Sequence, residues 1–367
     1  MVKSAAIRKL YEPYEIKSIQ FKNRITMAPM VPFGVPGGEE NSLGEDVLDY
    51  YRERIKGDLG LVVTHCFSVL EQDVGLRAFG LNNEKQKADL KKLVDMCHGN
   101  GTKIIVQIGY PSKGHHRHEK INSWTAEQLH HIEDLFVESA RAVKEQGADG
   151  IELHGANMFF LNLFSSPISN TRTDEYGGNL EGRLHLAGNI IRRIKEFSDD
   201  DFIIGYRLGF NKNVRTDIDT AAALEKTGVE LLHVSYGIRE ADRYLAPDYP
   251  PVITYPGSSR AKIEGPESFD FNDVVFTGTS VHTFVNIPVI LVDEIWNLSR
   301  GEELLNKNAG EFIAYGRPFL GDPDFLEQSK ENPQYEGCLR CKACAWFHDY
   351  SKCPKVIRRK KENIGKF

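Results

Sequence analysis

The sequence predicts a (β/α)₈ (TIM) barrel with an N-terminal hairpin and a short C-terminal extension. Three observations lead there. Eight apolar runs rich in Ile and Val recur along the 367 residues, each short enough to be a strand buried on both faces. Segments with helical spacing lie between them. No G-x-G-x-x-G follows the first run, which counts against a dinucleotide-binding open sheet. Eight strands over about 300 residues is the scale of a closed barrel.

The elements follow in order. YEIKSIQFKN (14–23) alternates apolar and polar residues and reads as a hairpin on the barrel floor. The strand-like runs are NRITMAPM (23–30), DLGLVVTH (58–65), TKIIVQIG (102–109), ADGIELHG (148–155), DFIIGYRL (201–208), VELLHVSY (229–236), IPVILVD (287–293) and EFIAYG (311–316). Residues 84–98 carry Leu90, Leu93, Val94 and Cys97 on one helical face and stop at Gly99. Residues 125–146 open with a capping-box pair, Thr125 and Gln128, and bury Leu129, Ile132, Phe136, Ala140 and Val143. Residues 180–197 repeat the pattern with Leu184, Ala187, Ile190, Ile191 and Ile194. Residues 237–286 hold no convincing ten-residue helical pattern and read as a long irregular connection. The barrel is expected over 1–335 and a Cys-containing basic tail over 336–367.

Composition narrows the function classes. With 41% hydrophobic and 27% charged residues the chain reads as a soluble globular protein. A net charge of −6 gives no reason to expect nucleic acid or an anionic membrane as partner. No run of eighteen apolar residues and no N-terminal apolar leader is present, so the expected compartment is the cytoplasm. Four of the six cysteines, 338, 341, 344 and 353, cluster near the C-terminus, which reads as metal-binding or chance before disulfides.

In such a barrel the site forms at the carboxyl ends of the strands. Gln107, His154, Asn157, Arg207, Tyr236 and the pair Gly316–Arg317 all fall there. Each alone has a plain structural role, as a strand cap, a turn or an ion-pair partner. Their convergence on one rim points to a site.

FKNRITMAPM (21–30), SPISNTRTDEYGGNLEGR (166–183) and GRPFLGDPDF (316–325) resemble the old yellow enzyme family of FMN-dependent ene-reductases. The resemblance covers roughly residues 10–330 on the usual domain scale. It implies FMN as cofactor and NADH or NADPH as reductant, acting in turn on one pocket. Ala28, Pro29 and Met30 would lie along the flavin, and the backbone of Cys66 would meet its ring. Gln107 would bond the pyrimidine edge. Arg207 would favour the anionic reduced ring. Gly316 and Arg317 would hold the phosphate. His154 and Asn157 would polarise the carbonyl of an electrophilic small-molecule substrate such as an enone.

The chain departs from the family's pattern at several places. Phe159 stands where a proton-donating tyrosine is usual; Tyr236 and Tyr110 are substitutes on weak grounds. Asp293 and Glu294 replace glycines beside the expected phosphate. Tyr110 replaces a common histidine, and Val31 and Phe33 replace a flavin-tuning cysteine and tyrosine. His115, His116 and His118 read as a solvated loop rather than a metal site. C-x₂-C-x₂-C-x₈-C could bind an iron–sulfur cluster or zinc, as wider spacings do in longer relatives similar to dienoyl-CoA reductases, but neither is favoured. The final KVIRRKKENIGKF reads as a solvated basic tail. Arg340 could reach a neighbouring subunit, so a homo-oligomer stays open. Two alternatives remain. One is an FMN protein that serves quinones, nitro compounds, oxygen or a protein partner instead of alkenes. The other is a degenerate, non-enzymatic barrel.

Overall fold

Residues Tyr14–Ile16 (β1) and Ile19–Phe21 (β2) pair antiparallel, with Tyr14 opposite Phe21. Ile16, Ile19 and Phe21 share one apolar cluster with Ile105, Ile203, Leu231, Ile290 and Phe312. Tyr14 and Phe21 meet the Phe312 ring edge-on at 5.2 and 5.1 Å. The hairpin therefore closes the barrel floor, as its alternation predicts. This computed structural model describes residues 7–70, 79–110, 121–211, 213–238, 271–342, 344–347 and 349–364.

Eight parallel strands form the barrel. They are β3 (Ile25–Met27), β4 (Leu61–Val63), β6 (Lys103–Gly109), β7 (Gly150–Gly155), β8 (Ile203–Phe210), β9 (Leu231–Tyr236), β10 (Val289–Val292) and β11 (Phe312–Tyr315). Each predicted run contains one of them, except that β8 continues two residues past 201–208. They close through β4 and β6, with Leu61 opposite Lys103. The two-residue β5 (Phe67–Ser68) extends the wall beside β6. All eight residues of β8 are buried, because its inner face meets the barrel interior and its outer face the helices.

The helices are α1 (Gly44–Arg54), α2 (Glu84–Gly99), α3 (Ala126–Glu145), α4 (Phe160–Ser165), α5 (Leu180–Arg183), α6 (His185–Lys195), α7 (Val214–Thr227), α8 (Asp273–His282), α9 (Leu298–Asn306), α10 (Arg317–Gly321), α11 (Phe325–Glu331) and α12 (Pro354–Ile364). The capping box of Thr125 and Gln128 forms at the start of α3. The helix expected over 180–197 is divided at Leu184, whose φ and ψ of −95° and 0° separate α5 from α6.

α8 was not expected from sequence. It lies within the stretch read as irregular, of which residues 239–270 fall outside the described residues. Its sequence, DVVFTGTSVH, is β-branched and glycine-containing, both unfavourable for helix. The hydroxyls of Thr277, Thr279 and Ser280 bond back to the carbonyls of Asp273, Val275 and Phe276. Those bonds let polar residues sit buried, which erases the amphipathic pattern.

The basic end also differs from expectation. It forms α12, in which Lys355 and Arg359 pair with carboxylates outside the tail while Arg358, Lys360 and Lys361 are exposed. Lys355 and Arg359 each lie 3.5 Å from Asp322, and Arg359 lies 2.7 Å from Asp324. Upstream, the indole N–H of Trp346 donates to the Val31 carbonyl at 3.0 Å, and Trp346 is 1% exposed. The Tyr350 N–H donates to the Phe33 carbonyl at 2.9 Å. The tail is thus docked on the loop after β3. Among the described residues no helix is long and apolar enough to cross a membrane.

Between β8 and α7, the buried Asp217 carboxylate accepts the Asn211 N–H and Nδ2–H, both at 3.2 Å. Burial pushes its carboxyl up to about 7. A raised folded-state value means that stability is fullest below the unfolded aspartate range and is lost as pH rises toward 7. Asp217→Asn should flatten that loss by at least about 1 kcal/mol between pH 5 and 8. Urea unfolding at several pH values checks it; parallel curves for the two proteins would refute the assignment.

Candidate active site

Inward positions alternate along each strand. At the floor they are apolar: Ile105, Ile203, Leu231 and Ile290. Further along the same strands come Gln107 and His233, two residues on, and Arg207, four residues on. Glu152 on β7 lies in register opposite Gln107. None of these four is more than 6% exposed. Glu152 Oε1 accepts Gln107 Nε2–H at 2.6 Å, and Oε2 accepts His233 Nδ1–H at 2.8 Å. Burial alone would raise the Glu152 carboxyl; His233, Arg207 and the bond from Gln107 more than offset it and hold it below its ordinary value. Burial lowers His233 from its ordinary value, opposed by the Glu152 carboxylate bonded to it. Arg207 Nη2–H donates to Ser235 Oγ at 2.9 Å. Its Nε is buried with no hydrogen-bond partner among the described residues.

Above this layer opens a cavity of about 760 Å³. The sequence-predicted residues Ala28, Pro29, Met30, Cys66, Gln107, His154, Asn157, Arg207, Gly316 and Arg317 all line it. Val31, Phe33, His65, Tyr236 and Trp296 line it as well. Gln107 uses its amide N–H on Glu152, which leaves its carbonyl oxygen as the acceptor toward the cavity. His154 Nδ1 accepts the Ala156 N–H at 3.3 Å, which puts the proton of the neutral ring on Nε2. The Phe159 ring stacks on His154 at 3.7 Å and 11°. A Cβ at Gly109 would stand 2.8 Å from Cys66 Sγ and 3.1 Å from both His154 and Phe159, so this wall packs only around glycine. Burial pushes the Cys66 thiol well above its ordinary value, which disfavours the nucleophilic thiolate.

At the other end, Arg317 Nη2 lies 3.6 Å from Asp293 and 4.0 Å from Glu294. Its guanidinium sits 4.2 Å over the Trp296 ring. Asp293 is bonded by Asn272 and by Tyr236. Burial raises its carboxyl, opposed by the Tyr236 bond and Arg317.

Tyr110 does not line the cavity; it stacks on Phe160 at 4.7 Å and meets Trp124 edge-on. His115, His116 and His118 lie outside the described residues. Cys338, Cys341, Cys344 and Cys353 are free thiols, and no group of three metal-ligating side chains is assembled among the described residues. Cys344 and Cys353 pack against the apolar core, while Cys341 is exposed, so the iron–sulfur or zinc option finds no support. Sequence reasoning missed Glu152 and His233. The available signal was parity: Glu152 is two residues before His154 and so faces the same way.

The residues at the ring end fit a flavin. An isoalloxazine carries carbonyl acceptors and a ring N–H along one edge; the unsatisfied Nε of Arg207 matches an acceptor, and the Gln107 carbonyl oxygen matches the ring N–H. The phosphate end fits FMN less well, because two carboxylates face it.

The sequence profile of the NADH:flavin oxidoreductase / NADH oxidase family matches residues 9–122 and 112–336. The chain is 28% identical over 362 residues to the NADH oxidase of Thermoanaerobacter brockii, covering 90% of this chain but 52% of that one. It is 28% identical to the NADPH dehydrogenase of Listeria innocua, covering 88% of this chain and 94% of that one. The chain thus spans about half the length of the first relative and nearly all of the second. The solved old yellow enzyme homologue from Zymomonas mobilis superposes with a TM-score of 0.68 at 17% identity, over 94% of this chain and 99% of that one, which bears on the fold.

Proposed function

Given that the chain belongs to the NADH:flavin oxidoreductase / NADH oxidase family, we propose that it is an NAD(P)H-dependent flavin oxidoreductase. Its acceptor would be an electrophilic small molecule, foremost an activated alkene such as an enone, and FMN is the flavin that the family resemblance implies. The observation that carries the reading is the buried Arg207 Nε in the cavity wall. An unsatisfied buried donor costs about 1–3 kcal/mol. A ligand that accepts from it removes that cost.

A bound flavin supplies a two-electron store between nicotinamide and acceptor. The chain's residues do the rest. Arg207 stabilises negative charge at the ring edge, in a site where burial strengthens the field. Glu152 fixes the Gln107 amide so that its carbonyl oxygen serves as acceptor. His154, with its proton on Nε2, and Asn157 donate to the carbonyl of the acceptor and draw charge from its double bond. Phe159, pressed on the His154 ring, excludes water and keeps that ring in one orientation.

The test is NADH and NADPH oxidation by flavin-loaded protein, with and without cyclohexenone. A rise of about tenfold or more with the enone is expected; an unchanged rate would remove the alkene half of the reading. Phe159 favours a second reading, in which alkenes are poor acceptors because no phenol stands there to protonate them and quinones or nitro compounds serve instead. Phe159→Tyr should then raise enone turnover about 10²-fold, the lower end of the range for general acid catalysis. An unchanged kcat would make the phenylalanine irrelevant to proton supply.

A further inference from the structure

The end of the cavity beside Gly316 and Arg317 departs from a phosphate site, and its chemistry indicates which flavin it takes. This inference rests on the flavin reading above. Asp293 and Glu294 follow β10 with φ of 93° and 53°. That is the left-handed region, where glycine is at ease and Asp293 in particular is strained. Both side chains nonetheless line the cavity.

Arg317 is engaged by them, at 3.6 Å from Asp293 and 4.0 Å from Glu294. It sits 4.2 Å over the Trp296 ring, and Arg340 lies 5.6 Å from the same ring. Asn272 and Tyr236 add two donors to Asp293. The guanidinium that would grip a phosphate is thus already compensated within the chain. A phosphate dianion entering here meets two carboxylates of like charge. A hydroxyl does the opposite: it donates to a carboxylate in a charge-assisted bond.

We infer that Asp293 and Glu294 make this cavity select a flavin whose ribityl chain ends in a hydroxyl, riboflavin, over one that ends in phosphate, FMN. The two carboxylates are the specificity-determining residues.

The experiment strips the purified protein of flavin and titrates it separately with riboflavin and FMN, following flavin fluorescence. It compares wild type with the double variant Asp293→Gly/Glu294→Gly. Glycine suits both backbone angles, and circular dichroism confirms the fold. Wild type should bind riboflavin at least about tenfold more tightly than FMN, a difference of about 1.4 kcal/mol. The double variant should reverse the order. If the double variant fails to fold, Glu294→Gly alone is used; its side chain is 55% exposed, and FMN should gain about threefold over riboflavin. Wild type that binds FMN as tightly as riboflavin, or more so, overturns the inference and leaves the flavin reading intact. An unchanged FMN-to-riboflavin ratio in the variant also overturns it. Wild type that binds neither flavin overturns both.

Discussion

Glu152→Ala should lower the free energy of unfolding by about 3–5 kcal/mol, the usual cost of removing one member of a buried charged group. The substitution leaves the Gln107 amide and the His233 Nδ1–H without their acceptor, both nearly inaccessible. It also removes the negative charge that does most to keep the buried Arg207 charged. Glu152→Gln keeps an acceptor and similar volume, so its cost should be nearer 1–2 kcal/mol. Guanidinium unfolding followed by intrinsic fluorescence measures both. A loss under about 1 kcal/mol for the alanine variant would mean that the four side chains do not act as a unit. The pH sense is defined as well. The carboxyl is held below the ordinary glutamate value, so its contribution is present at neutral pH and is lost as pH falls through that depressed value.

The second large effect is kinetic. His154→Ala should slow reoxidation of the reduced protein by cyclohexenone about 10²–10³-fold, the range seen when one donor to a developing oxyanion is removed. Asn157→Ala should act in the same direction. Its backbone N–H donates to the Tyr236 carbonyl at 2.7 Å, which anchors the loop, while its φ of 52° makes glycine a better replacement than alanine as a control. Stopped-flow absorbance separates the two half-reactions. Reduction by NAD(P)H should change far less than reoxidation. If both halves slow equally, His154 holds the pocket's shape and does not activate the acceptor.

Much of this was legible in the residues. The eight strands announced themselves because a strand buried on both faces must be apolar throughout. Gln107, His154, Asn157, Arg207, Gly316 and Arg317 were found because they interrupt or follow those runs, whereas Ala28, Pro29, Met30 and Cys66 came from the family resemblance. Glu152 was overlooked for the opposite reason: it sits inside the run GIELHG, where the apolar neighbours Ile151 and Leu153 dominate the eye. α8 escaped because its polar side chains satisfy themselves on their own helix. The docking of the tail was invisible locally. Nothing in the sequence around Trp346 identifies a carbonyl 315 positions earlier as its partner.

That distance has a consequence for the order of events at the ribosome. The loop carrying Val31 and Phe33 emerges early, and a nascent barrel could begin to form around it. Its support from Trp346 and Tyr350 is synthesised only after every barrel strand has been made. At about 5–20 residues per second, the 315 residues in between take roughly 15–60 s to translate. Through that interval the young cavity has one wall without its final brace, and its last contacts are set only as the tail leaves the exit tunnel.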